Sequence, residues 1–200
     1  EDDIHNEGGW PFPRERLAQI HVDLLNAGAA SVSWVAVFSE PDRFGGDAAF
    51  AEALSYYPSV IAMFETDGWK TIPATEGTVI LGDDIGGIAA TGVTQNIKIL
   101  RDSALQGIVS APVDVDNLVR RTDRFGRVWV NWVKTNSTSL DKMDVEGKVV
   151  IVGTTAKGIL PQVATPAGLL YPHEIQAALA ETIIHASNKR MPTIPNEAQL

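Results

Sequence analysis

The run Val149-Val150-Ile151-Val152, entered from Gly147-Lys148 and left through Gly153-Thr154-Thr155-Ala156-Lys157-Gly158, constrains the fold more than any other segment. β-branched residues without polar alternation suit a strand in the middle of a parallel sheet, covered on both faces. Parallel strands need crossover connections, and the chain supplies them. Residues 31–38 alternate and are rich in Val, which predicts a strand. Over 47–57, Phe50, Ala53, Leu54 and Tyr57 fall on one helix face, with Asp47 as a cap and Pro58 as a stop. Residues 60–64 form a second apolar strand. Strand, helix, strand at this spacing is the mark of a parallel crossover unit.

Other elements follow from the same periodicities. A helix is predicted over 13–26, with Pro13 in its first turn, Leu17, Ile20, His21, Leu24 and Leu25 on one face, and Gly28 as its stop. Residues 108–113 read as a strand, 118–121 as an edge segment, and 127–133 as part of a hairpin across Arg124-Phe125-Gly126. Residues 66–106 are rich in Gly, Thr and Asp, with one strand expected at 78–81. A last helix over 173–185 would turn Ile175, Leu179, Thr182 and Ile183 inward. The expected fold is therefore α/β: a mixed, largely parallel central sheet with helices on both faces, in a single domain with a hairpin addition. That domain would span 1–190, with 191–200 as a linker.

The 200-residue chain is 44% hydrophobic and 20% charged, which is a globular balance. Its net charge of -9 argues against nucleic acid and against an anionic lipid surface as partners. With no cysteine there is no disulfide, thiolate metal site or cysteine nucleophile. No apolar run reaches membrane-spanning length, and a start without Met is expected of a piece cut from a longer protein.

Three segments resemble known motifs, and each departs from what the motif's chemistry needs. The loop 153–158 resembles a phosphate loop, but that motif needs Lys after its second Gly, and Ile159 stands there. His173-Glu174 opens like a zinc-binding H-E-x-x-H, yet Ala177 occupies the second histidine's place. Asp114-Val115-Asp116-Asn117 opens like a calcium loop, but Leu118 and Val119 replace the fifth-position ligand and the glycine. An ion held by Asp114, Asp116 and backbone carbonyls stays open beside a plain turn, and Arg120, close enough to pair with either carboxylate, favours the turn. The histidines (His5, His21, His173, His185) are scattered, and no nucleophile elbow is present. No cofactor is called for. The five tryptophans are core or interface residues first.

Three blocks in order carry a family resemblance. The first is Gly9-Trp10-Pro11-Phe12-Pro13-Arg14 with Leu17-Ala18, Gly28-Ala29 and Ser39-Glu40-Pro41-Asp42. The second runs from Gly107 to Arg120, a strand into Asp-x-Asp-Asn and then Arg. The third is 147–156 with Thr165-Pro166 and Glu174-Ile175-Gln176-Ala177. Together they resemble the second type of CHASE domain, the cyclase- and histidine-kinase-associated sensory extracellular domain of bacteria. Asn117 departs from the glycine usual after Asp-x-Asp, though Asn also tolerates the left-handed turn.

The resemblance implies a non-enzymatic, extracytoplasmic (periplasmic) sensory domain of a bacterial inner-membrane protein. Its partners would be an unidentified small-molecule or ion signal, flanking transmembrane helices, and a cyclase or kinase output domain, with homodimerisation left open. The expected ligand rim comprises Asp114, Asp116, Arg120, Thr154, Thr155 and Thr165. Two alternatives stand beside this: a soluble α/β hydrolase or transferase with a spatially assembled site, and a structural dimerisation module that binds nothing.

Overall fold

The structure, a computed structural model, describes residues 9–56, 58–65, 93–109, 116, 145–156 and 158–184. The elements in order are α1 (Arg14–Asn26), β1 (Ser31–Trp34), α2 (Asp47–Leu54), β2 (Ser59–Glu65), β3 (Val93–Thr94), α3 (Lys98–Arg101), β4 (Leu105–Ile108), β5 (Val149–Val152), β6 (Val163–Thr165), β7 (Gly168–Leu170) and α4 (Pro172–Ile184). Contacts divide the chain into two compact units, one of Glu1–Ser110 with Val133–Ile159, the other of Ala111–Trp132 with Leu160–Leu200.

The first unit holds a five-stranded, mostly parallel sheet. β1 pairs in parallel with β2 on one side and β5 on the other, and β4 continues in parallel beyond β2. β3 adds a short antiparallel pairing at Phe64 and Glu65. The register places Val152, Trp34, Ile61 and Gln106 in one row across β5, β1, β2 and β4. Residues in one row share a face, and this face carries the core. Val32, Trp34, Ile61, Val150 and Val152 pack there with Leu17 and Leu24 of α1, Phe50 and Leu54 of α2, and Leu100 of α3. Phe50 is fully buried and sits edge-on to both Trp34 (5.5 Å between ring centroids) and Phe38 (5.2 Å).

Three helix boundaries have a clear local cause. After α1, Gly28 adopts φ +94°, with Gly28 N–H donating to Leu25 O (2.9 Å) and Ala29 N–H to Leu24 O (3.1 Å). That is a Schellman stop, and it answers the expectation for Gly28. At the other end of α1, Asp42 accepts Arg14 N–H (3.1 Å), and the Arg14 side chain reaches Asp47 (3.5 Å) and the Glu40 carbonyl (3.2 Å). The same guanidinium lies 4.3 Å above the centre of the Phe38 ring. Arg14 thus fastens α1 to the long connection between β1 and α2. In the second unit, Pro172 opens α4 and the Glu174 carboxylate reaches back to Tyr171 N–H, half of a capping box.

Several expectations are corrected here. The 148–152 strand forms, but among the described strands it pairs only with β1, and its residues are exposed or half-buried; Val149 is 42% exposed. The interior places between two parallel neighbours belong to β1 and β2. Of the strand expected over 108–113, Ile108 ends β4 (Leu105–Ile108), which begins earlier in register with β2, while 110–113 lie outside the described residues. β1 ends at Trp34, short of residue 38, because the chain then turns to meet Arg14 and Asn96. β3, α3 and the β6–β7 hairpin fall where no element was expected. The 78–81 strand, the segments 118–121 and 127–133, and the tail 191–200 lie outside the described residues. No described helix is long and apolar enough to cross a membrane.

Candidate functional site

Open parallel sheets present ligands with a crevice outside the carboxyl ends of the strands, where the strand order changes direction. Here the chain steps from β1 to β2 to β4 in one direction, and β5 lies on the other side of β1. The change of direction falls between β1 and β5. The segments leaving those two strands are 35–46 and 153–156. Within the second, Gly153 and Thr155 are exposed and Thr154 is half-buried. Thr154 Oγ1 accepts the Ala156 N–H at 3.3 Å, closing a small turn, while Thr155 is also partnered. Val35 N–H donates to Val152 O (2.9 Å), so the two departing segments stay side by side for one residue beyond the strands.

The other expected rim residues are distributed differently. Thr165 lies in the second unit, 8% exposed, and its hydroxyl is engaged in both directions: it donates to Gly168 O (2.8 Å) and accepts from Ala167 N–H (3.1 Å). It closes the β6–β7 turn, where Gly168 has φ +115°. Asp116, also of the second unit, is exposed and partnered. Asp114 and Arg120 lie outside the described residues. No group of three or more His, Asp or Glu among the described residues could hold a metal ion.

One buried pair looks like a nucleophile and its base. His21 Nε2 is 2.9 Å from Ser59 Oγ, and both residues are fully buried. Trp34 Nε1–H, which can only donate, reaches His21 Nδ1 at 3.0 Å. Nδ1 is therefore the lone-pair nitrogen, and the ring proton sits on Nε2, pointing at Ser59. Ser59 in turn donates to the Tyr56 carbonyl (2.8 Å). The direction of donation is the reverse of what activates a serine, because Nε2 has no lone pair with which to take its proton. Burial pushes the His21 pKa down to about 4. The trio ties α1 to the sheet.

A second buried polar cluster sits beside the middle of β2 and the start of β4, and sequence reasoning did not single it out. Asn96, 4% exposed, accepts Phe38 N–H (2.8 Å) and donates to Ala62 O (2.8 Å) and Gln106 Oε1 (3.1 Å). Gln95 Oε1 accepts Arg101 Nη1–H at 2.6 Å. The signal available in the sequence was Gln106 itself, a polar residue between Leu105 and Ile108 in what is otherwise an apolar strand.

A family model, the CHASE2 domain, matches residues 1–200. No curated protein and no solved structure matches.

Proposed function

This chain belongs to the CHASE2 family of extracellular sensory domains, and from that premise we propose that it binds a small-molecule or ion signal at the carboxyl end of its parallel strands. In the full-length protein the bound state would be passed across a bacterial inner membrane to a cyclase or kinase output. The observation that supports the placement is the change of strand direction between β1 and β5, with Gly153 and Thr155 exposed at the end of β5. A signal acts by favouring one of two arrangements of the domain, which requires that it bind them unequally. Arg14 fastens α1 to the connection between β1 and α2, and His21 ties it to the sheet, so the segment preceding Arg14 is a natural path for such a change.

The hydrolase alternative would need a serine activated by a histidine, and the Ser59–His21 contact has the opposite polarity. CHASE2 domains are sensory rather than catalytic. The test of the sensory reading is a thermal-shift screen of the chain against small metabolites and ions. A saturable stabilisation is expected, lost or weakened by the double change Thr154→Val, Thr155→Val. Full retention of every hit's affinity in that variant would remove the β5 loop from the site.

A further inference from the structure

We propose that the connection 35–46 is a strap that couples the ends of β1 and β5 to the start of α1, so that what loosens one loosens the other. The proposal rests on the sensory reading above and names the route by which that site acts. At its near end the strap is bonded to the sheet. Val35 N–H donates to Val152 O (2.9 Å). Phe38 uses both of its backbone groups: its N–H donates to Asn96 Oδ1 (2.8 Å) and its carbonyl accepts Ile97 N–H (2.8 Å). Asn96 in turn donates to Ala62 O of β2 (2.8 Å).

At its far end the strap holds two helix starts. Asp42 Oδ2 accepts Arg14 N–H at the first residue of α1 (3.1 Å) and Gly46 N–H at the N-cap of α2 (3.0 Å). Helix starts carry unpaired N–H groups and partial positive charge, so one carboxylate shared by two of them fixes both to the strap. Asp42 N–H also donates to Asp47 Oδ2 (2.8 Å). Arg14 joins the two ends, stacked over Phe38 and bonded to Glu40 O. Gly46 shows how close the fit is. Its φ of -79° is open to other residues, yet a Cβ there would stand 2.6 Å from Glu15 N and 3.0 Å from Asp42 Oδ2. Glycine is required by the approach of the α1 backbone, and a shift of 42–46 passes to Glu15 with no side chain between them to absorb it.

The experiment follows amide hydrogen exchange by NMR in the whole chain without ligand. Arg14 and Gly46 amides report the far end, and Val35 and Phe38 amides the near end. Val32 N–H, bonded to Pro58 O (3.2 Å), reports the sheet beyond the strap. Coupling has the same magnitude read from either end, so the far end is where the lever is placed. Asp42→Asn keeps the size of the side chain but removes its charge and one acceptor. Exchange should quicken roughly 5-fold or more at Arg14 and Gly46 and about 3-fold or more at Val35 and Phe38, with Val32 changed less than any of these. Gly46→Ala should give the same pattern by wedging the helix starts apart. Gly45→Ala, where no atom lies within 4 Å of the added carbon, should leave Val35 and Phe38 unchanged despite its φ of +81°. Acceleration confined to Arg14 and Gly46 overturns the proposal, as does no acceleration at all. Equal acceleration of Val32, or a Gly45→Ala pattern that matches Gly46→Ala, overturns it too. These rates need no ligand, so an empty thermal-shift screen removes the crevice as a binding site without touching the coupling, and lost coupling leaves the result of the screen intact.

Discussion

Protonating His21 at Nδ1 would set a ring N–H against the Trp34 indole N–H, in a fully buried place. Geometry and desolvation therefore act together, and the pKa near 4 lies well below the ordinary 6.5. As pH falls, the unfolded chain takes up this proton first. The stability held by neutral His21 is complete above about 6.5 and is lost progressively as pH falls toward about 4, up to about 3 kcal/mol in all. His173, lowered by burial against the opposing pull of Glu174, acts in the same direction. Urea unfolding at pH 7.5 and 4.5, with ring resonances of each histidine followed by NMR, measures this. Trp34→Phe removes the opposing donor, so its acid loss should be smaller even though the variant starts weaker at neutral pH. Equal losses in the two proteins would show that Trp34 does not hold the ring neutral. Truncating Phe50 to Ala should cost about 3–5 kcal/mol at any pH, since it empties the contact between two other rings. None of this partnering was legible in the sequence. His21 falls on an apolar helix face there, but Ser59 and Trp34 reach it only through the sheet.

At the scale of elements, the helices were legible and the strand neighbours were not. Arg14–Asn26, Asp47–Leu54 and Pro172–Ile184 each carry 3.6-residue periodicity bounded by punctuation at Gly28, Pro58 or Pro172, and local chemistry is enough to place them. A run such as Val149–Val152 announces a strand but carries no record of what lies beside it, and the structure seats it at the flank of β1. β4 was displaced in the reading because Gln106 and Gly107 break its apolar pattern. Both have local explanations: Gln106 bonds Asn96, and Gly107 pairs with Ala62. The buried amides stayed hidden because Gln and Asn form no spacing motif of their own. The α1 stop can be tested directly. Gly28 and Gly45 both have positive φ, but a Cβ at Gly28 would meet Glu146 Cγ at 3.1 Å, whereas none is near Gly45. Gly45→Ala should cost about 1–2 kcal/mol from backbone strain alone, and Gly28→Ala at least as much, read from urea midpoints. Arg14→Lys should fail to restore what Arg14→Ala loses, because an ammonium cannot lie flat on Phe38 while reaching Asp47 and Glu40.

Across the whole molecule, the family was the most legible property, because three separated blocks in the right order speak for it without any structure. The first block now has a physical account. Its Arg14 and its Asp42, distant in sequence, meet where α1 begins, so those residues mark a joint of the fold. The third block divides: 147–156 ends the sheet of the first unit, while Thr165 and Glu174 close a turn and cap a helix in the second. The expected rim drew on both units, and the described structure gives Thr165 a turn-closing role instead of a free hydroxyl.

The seat of β1 between β2 and β5 also sets a timetable. Ser31–Trp34 is made early and finds β2 within a few dozen residues, but its other neighbour, Val149–Val152, is among the last strands synthesised. Chains emerge from the ribosome N-terminus first, and a contact this distant in sequence closes late. Through that interval β1 offers a row of bare amides and carbonyls to any extended peptide nearby. Arrested nascent chains ending at residue 144 should therefore be more easily cleaved and more prone to associate than chains carried past residue 159. The strand that organises the sheet is the one that waits longest for its second partner.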